Sequence, residues 1–220
     1  MPTATTQSQL MQLHPGDRLQ YHGVIWTVED YSTYDDPNGY ETREWLLKSP
    51  TGKEYYLLRE VDPQHPENRI NWYISEELKQ PKVFEPTTSQ DVTVKLWEEM
   101  RDQREPYPEL KVFSRTYAFE SSTQGSYQGE EGRSGRITWD YWDQEHQWNL
   151  AIEAWPDHTL AIYSTRVVQP EDFSAVQKAP PAIRSAYSSR PNPGSPDSRT
   201  WQVLIAIGMT FTGILFMIFG

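Results

Sequence analysis

Residues 136–168 read RITWDYWDQEHQWNLAIEAWPDHTLAIYSTRVV. Three runs in this region, 135–143, 147–155 and 158–168, are rich in aromatic and β-branched side chains and are joined by brief polar links. Pro156-Asp157-His158 is a turn signal between the last two. Short strands of this composition with turn residues between them predict antiparallel pairing. Along 147–155 the alternation places Trp148, Leu150, Ile152 and Ala154 on one face, and Asn149, Ala151, Glu153 and Trp155 on the other.

The same pattern extends outward in both directions. Towards the C-terminal side of the body it stops near Val168. Towards the N-terminal side, 111–120 and 125–129 are further strands of this group. An earlier group comprises 17–22, 24–30, 40–48, 53–61 and 69–75, with Ser49-Pro50-Thr51-Gly52 as a turn between two of them. Between the groups, 91–104 carries Val92, Leu96 and Met100 at a spacing of four, and Thr88 to Asp91 has the form of a capping box, so one short helix is expected there. Pro106 and Pro108 end it. The expected fold is mainly β, with antiparallel sheets arranged as an open barrel or sandwich, either as one body or as two similar lobes, plus that helix.

Residues 201–219, WQVLIAIGMTFTGILFMIF, carry no charge. A helix of this length spans roughly 28 Å, close to the hydrocarbon thickness of a bilayer. A core helix of a globular protein would keep a polar stripe, which this run lacks. The run is therefore expected to be a single transmembrane helix, anchored through Trp201, Leu204, Ile207, Phe211, Leu215 and Phe219, with Trp201 at the headgroup level. Residues 177–200 contain Pro180, Pro181, Pro191, Pro193 and Pro196 with several serines, and read as an extended basic linker. The basic flank predicts that the body faces the cytoplasm. The expected division is a flexible stretch 1–15, a soluble β domain 16–176, the linker 177–200 and the membrane helix 201–219.

The net charge of −11 is unevenly placed: residues 1–173 hold 16 Lys/Arg against 30 Asp/Glu, whereas 174–220 hold 4 against 1. An acidic body argues against nucleic acid as a partner. Its repulsion from anionic headgroups predicts that it stands off the bilayer on its stalk. The chain has no cysteine, which excludes disulfides, thiolate metal sites and thiol nucleophiles. His14, His22, His65, His146 and His158 lack ligand spacing, and Tyr31–Tyr40, with Asp35, Asp36 and Asn38, reads as a turn more readily than a calcium loop. No metal, cofactor or catalytic motif is expected, and the chain is read as a non-enzyme.

One candidate binding set stands out. If 147–155 is a strand, Glu153 and Trp155 share a face that Asp140 and Trp142 join across the hairpin. Carboxylates beside indoles suit a cation or amine. The competing reading is a solvated sheet face in which Glu153 pairs with Arg136 or Arg166.

The residues Trp139, Tyr141, Leu150, Ile152, Glu153, Trp155, Val168, Pro170 and Asp172, with the opening LHPGDRLQYHGVIWTVED, resemble the DUF4178 family over most of residues 13–173. The resemblance implies no established activity. It implies a β fold and, from the gene neighbourhoods of some members, polyamine-synthesis enzymes and small membrane proteins nearby. Tail-anchored forms in photosynthetic bacteria leave plasma membrane and thylakoid both open. The expected function is a membrane-anchored interaction or scaffold module with the bilayer and a protein of a membrane complex as partners. The alternative is a binder or sensor for a cationic metabolite such as a polyamine.

Overall fold

The computed structural model describes residues 4–35, 41–62, 69–129 and 132–180. The fold is mainly β and antiparallel. In chain order the elements are α1 (Gln7–Met11), β1 (Arg18–Tyr21), β2 (Val24–Asp35), β3 (Glu41–Lys48), β4 (Glu54–Asp62), β5 (Arg69–Glu77), β6 (Val83–Glu85), β7 (Gln90–Asp91), α2 (Thr93–Arg101), β8 (Glu109–Val112), β9 (Arg115–Gly129), β10 (Gly132–Trp142), β11 (Trp148–Ala154), β12 (Leu160–Val168) and β13 (Phe173–Gln177). A 3-10 turn, Pro170–Asp172, precedes β13. The membrane helix expected at 201–219 and most of the linker lie outside the described residues. Among the described residues no helix is long and apolar enough to cross a membrane.

Contacts divide the described chain into two units, residues 4–76 with 167–180, and residues 77–166. In the first, the strands run in the order β13-β1-β2-β3-β4-β5. Its core is built on one face, where Trp45 lies opposite Leu57 and Leu57 opposite Ile74. Trp26, Val28, Leu47 and Trp72 extend it, and Leu10 and Leu13 from the N-terminal segment close it. Trp45 stacks on Trp72 at 5.8 Å between centroids, and its Nε1 donates to the Leu13 carbonyl at 3.2 Å. Fully burying such a side chain contributes roughly 1.5–3 kcal/mol, provided the indole N–H is satisfied.

In the second unit the order is β12-β11-β10-β9-β8-β6-β7. Its core face carries Trp139 opposite Ile152, and Ile152 opposite Ile162. Leu96 and Met100 of α2 cover this face, with Val83, Leu110 and Val112. The helix begins later than expected. Its N-cap is Val92, without a side-chain cap, and Asp91 Oδ1 instead accepts from Thr93 N and Oγ1. The capping box forms at α1, between Thr6 and Gln9. Sequence spacing alone cannot show that Thr88 is spent in the turn after β6, where it donates to Glu85.

The two units follow one strand plan. Each contains a two-residue hairpin turn, His22-Gly23 or Phe113-Ser114, whose first residue has positive φ (48° and 54°). Such turns match strand twist, and Gly23 at φ 77° is where a side chain would be strained. Leu19 faces Trp26 in one, and Leu110 faces Tyr117 in the other. The second hairpin strand then bulges at a glutamate, Glu29 or Glu120, where the register slips by one. The turn after the next strand is closed by a side chain at its start. Ser49 Oγ accepts from Lys53 N, and Asp143 Oδ1 accepts from Gln147 N and Trp148 N. In each unit the strand beside the first hairpin strand follows a Gln-Pro pair, with β6 after Gln80-Pro81 lying beside β8, and β13 after Gln169-Pro170 lying beside β1.

Two further features bear on the tail. Residues 4–15, expected as a flexible stretch, contain α1 and two fully buried leucines, and Thr5 N donates to the Phe173 carbonyl. The buried Asp17 carboxylate accepts from His14 N, Lys178 Nζ (3.0 Å) and Ala179 N (2.8 Å). It thereby clasps the end of β13 to the segment before β1.

Candidate functional site

The hairpins β10–β11 and β11–β12 set the candidate residues in rows. Thr138, Glu153 and Ala161 form one row; Asp140, Ala151 and Tyr163 the next; Trp142, Asn149 and Thr165 the third. Directly opposed residues and their i+2 neighbours share a face. Asp140, Trp142 and Glu153 are therefore brought together on the face opposite Trp139, Ile152 and Ile162, as the alternation predicted.

The solvated-face reading is corrected by burial. Asp140, Glu153, Thr138 and Asn149 are each 0% exposed, and Trp142 is 4% exposed. Both faces of β11 are covered, which a half-polar alternation does not reveal. The pairing with Arg166 is corrected as well. Arg166 lies opposite Trp148, on the other face, with its guanidinium over that indole at 5.4 Å. Arg136 has no described side chain.

Trp155 lies one residue past the end of β11, which closes at Ala154, and is buried. Its N–H donates to the carbonyl of Thr159, which comes next after Leu160 in the β11–β12 register, and its carbonyl accepts from Trp97 Nε1 at 2.7 Å. Trp97 in turn packs on His158, with ring centroids 4.2 Å apart.

The buried face is rich in acceptors. Asn149 Nδ2 donates to Asp140 Oδ1 at 3.4 Å. Asn149 Oδ1 and Thr138 Oγ1 have no hydrogen-bond partner among the described residues. Buried polar atoms of this kind cost free energy unless a donor meets them. Two carboxylates, an amide oxygen and a hydroxyl on one face suit a cation or a multiple donor. Beside the face, Asp143 pairs with Arg115 at 2.5 Å, and Arg115 lies over Trp148 at 4.7 Å.

The first unit holds an acidic set that the pattern reading passed over. Glu44 lies on β3 opposite Ser32 and Leu58, and Leu58 faces Tyr73. One row on, Glu60 faces Thr42 and Asn71. Glu44 is 5% exposed and Glu60 3%. Burial, and then the negative charge of Asp30, raise the Glu44 carboxyl from 4.5 to about 8. On the opposite face Arg43 and Arg59 share Glu41 Oε1, at 2.7 and 3.2 Å, and burial lowers the Arg59 value despite that partner. The signal for Glu44 and Glu60 was available in the apolar runs around them, WLL and YYLL, which mark strands covered on both faces.

A groove of about 690 Å³ runs beside α2, lined by Lys95, Glu98, Glu99, Asp102, Arg104, Glu105 and Tyr107. Tyr107 donates to Glu99 Oε1, and burial together with that carboxylate pushes its hydroxyl up to about 12. Among the described residues no group of three or more His, Asp or Glu is placed to hold a metal ion.

The model of a protein family described as a domain of unknown function, DUF4178, matches residues 14–170. No curated protein and no solved structure matches the chain.

Proposed function

This chain belongs to the DUF4178 family, and we propose that it acts as a non-enzymatic interaction module, held on a membrane by residues 201–219 and displayed to the cytoplasm. The uncharged run Trp201–Phe219 carries the reading, because its length matches a bilayer core and charge is expensive there. Its basic flank, with Lys178, Arg184, Arg190 and Arg199 against Asp197, favours the cytoplasmic side for the body. The Asp17 clasp supports display, since it fixes the point from which the linker departs. The plasma membrane and the thylakoid both fit, and the partner is a protein of a membrane complex.

The test is fractionation of the full chain beside a variant lacking 201–220, followed by affinity purification from detergent-solubilised membranes. The full chain should pellet with membranes and resist carbonate, and the truncated chain should be released. A stoichiometric protein partner supports the module reading. A truncated chain that still pellets defeats the anchor.

The acceptor-rich face of the second unit favours a second reading, a binder for a cationic metabolite such as a polyamine. Asp140 and Glu153 would supply charge, with Asn149 and Thr138 as added acceptors and Trp142 as the aromatic wall. Because the face is buried, a ligand would be enclosed there, so a co-purifying amine that survives gel filtration is the expected mark.

A further inference from the structure

Two of the exposed large apolar side chains in the described chain lie at one end of the second unit, on either side of Val83. Val83 is buried in β6 opposite Val112. Its N–H donates to Thr93 Oγ1 at 2.8 Å, and its carbonyl accepts from Val92 N at 2.9 Å. It therefore ties the β8–β9 turn to the start of α2. Immediately beyond these contacts, Phe113 is 75% exposed and Val94 is 89% exposed.

Phe113 is unusual for a second reason. It occupies the first turn position with φ 54°, where a bulky side chain is disfavoured and Asn or Gly is the ordinary choice. Folding alone gives no reason for an aromatic there. The charges around it also depart from those of the body. Lys82, Lys95 and Lys111 are exposed neighbours of Val83, Val94 and Val112. Asp91 lies 3.7 Å from Lys82, while Lys95 and Lys111 make no ion pair among the described residues. Lys82 and Lys111 thus flank two protruding apolar groups, with Asp91 the acid beside Lys82, on a body that holds 16 Lys/Arg against 30 Asp/Glu; Lys95 also lines the carboxylate-rich groove beside α2.

We propose that this end of the second unit, centred on Phe113, Val94, Lys82 and Lys111, is a docking surface for an anionic lipid headgroup layer. An exposed aromatic flanked by lysines is the chemistry of interfacial insertion, with the ring entering the headgroup region and the ammonium groups meeting lipid phosphates. Charge complementarity selects an anionic surface. Residues 201–219, outside the described part, argue for a bilayer over an acidic protein, and the proposal rests on the anchor reading for that choice only. It reverses, for this one face, the expectation that the body stands off the membrane.

The absence of cysteine makes a site-specific test direct. Ser114→Cys, beside Phe113 in the turn, takes an environment-sensitive fluorophore, and Gln144→Cys in the exposed β10–β11 turn serves as control. Full-length protein is reconstituted into vesicles of phosphatidylcholine, with or without phosphatidylglycerol, and carrying a lipid-borne quencher. The label at 114 should shift to the blue and be quenched only with the anionic lipid, and that signal should fall at high salt. Phe113→Ser with Lys111→Gln should abolish it while leaving the melting temperature in place; the label at 144 should not respond. Equal quenching in neutral and anionic vesicles, or quenching that survives the double substitution, overturns the proposal. A shift seen only with membrane proteins present assigns the face to an acidic protein instead, and overturns the lipid assignment. Carbonate extraction of the same vesicles reads the anchor separately. If the chain is extracted yet the label at 114 is quenched on anionic vesicles added from outside, the anchor reading fails and the docking surface stands.

Discussion

Glu44→Gln gives a test of the buried acidic set in which the sign is fixed in advance. The carboxyl is raised from 4.5 to about 8 by burial and by Asp30, so the folded protein holds its proton more tightly than the unfolded chain does. The stability it allows is fully present below pH 4.5 and is lost as the pH rises towards 8. Each pH unit between the two values is worth about 1.4 kcal/mol, which makes the loss about 3 kcal/mol at pH 7 and roughly 3–5 kcal/mol above pH 8. Gln is the neutral isostere of the protonated acid and carries no such dependence. Melting curves of both proteins from pH 4.5 to 9 should therefore diverge. Taking the difference at pH 4.5 as the baseline removes packing effects and every carboxylate the two share. Relative to it, the variant should gain roughly 6–12 °C at pH 7 for a domain of this size. Parallel curves across the range would refute the reasoning, because they would mean that Glu44 ionises in the folded state as it does in the unfolded chain.

Asp143→Ala removes the acceptor for Gln147 N, Trp148 N and Arg115, and should destabilise by about 2–4 kcal/mol, read from urea midpoints. Trp45→Ala empties the centre of the first core and should cost about 3–5 kcal/mol in the same measurement, with the second unit's Trp139→Ala giving a similar figure. Glu153→Gln should leave a purified amine ligand unbound if the enclosed site exists, an outcome checked by mass spectrometry of the released ligand; retention of the amine retires the site. Deleting 201–220 should move the chain from the membrane pellet to the supernatant on centrifugation.

The β character was legible because β10, β11 and β12 alternate and end at turn residues. The elements that escaped notice, α1, β6, β7 and β13, are two to five residues long, too short to show a period. β9 was read as two strands because Ser121 to Gln124 looks like a break, whereas the bulge at Glu120 absorbs the irregularity and pairing continues. The shared plan of the two units was hidden for a related reason. What recurs is register, bulge and turn closure, and these are met by different residues, Trp26 by Tyr117 and Ser49 by Asp143. At the candidate site the period placed Asp140, Trp142 and Glu153 together but said nothing about what covers a face. The burial of Glu153 depends on chain far from it in sequence, and so does that of Glu44.

The clasp at Asp17 has a mechanical side. Tension applied through residue 180 would otherwise peel β13 from β1 one hydrogen bond at a time, the weakest direction in which a strand can be loaded. The pull instead meets the bonds from Lys178 and Ala179 to a single buried carboxylate, which must fail before the first rung of the ladder is reached. That carboxylate also accepts from His14 N, and Thr5 N donates to Phe173, so the load passes into the N-terminal segment as well as the sheet. A domain pulled through this point would bear load without fraying from residue 180 inwards.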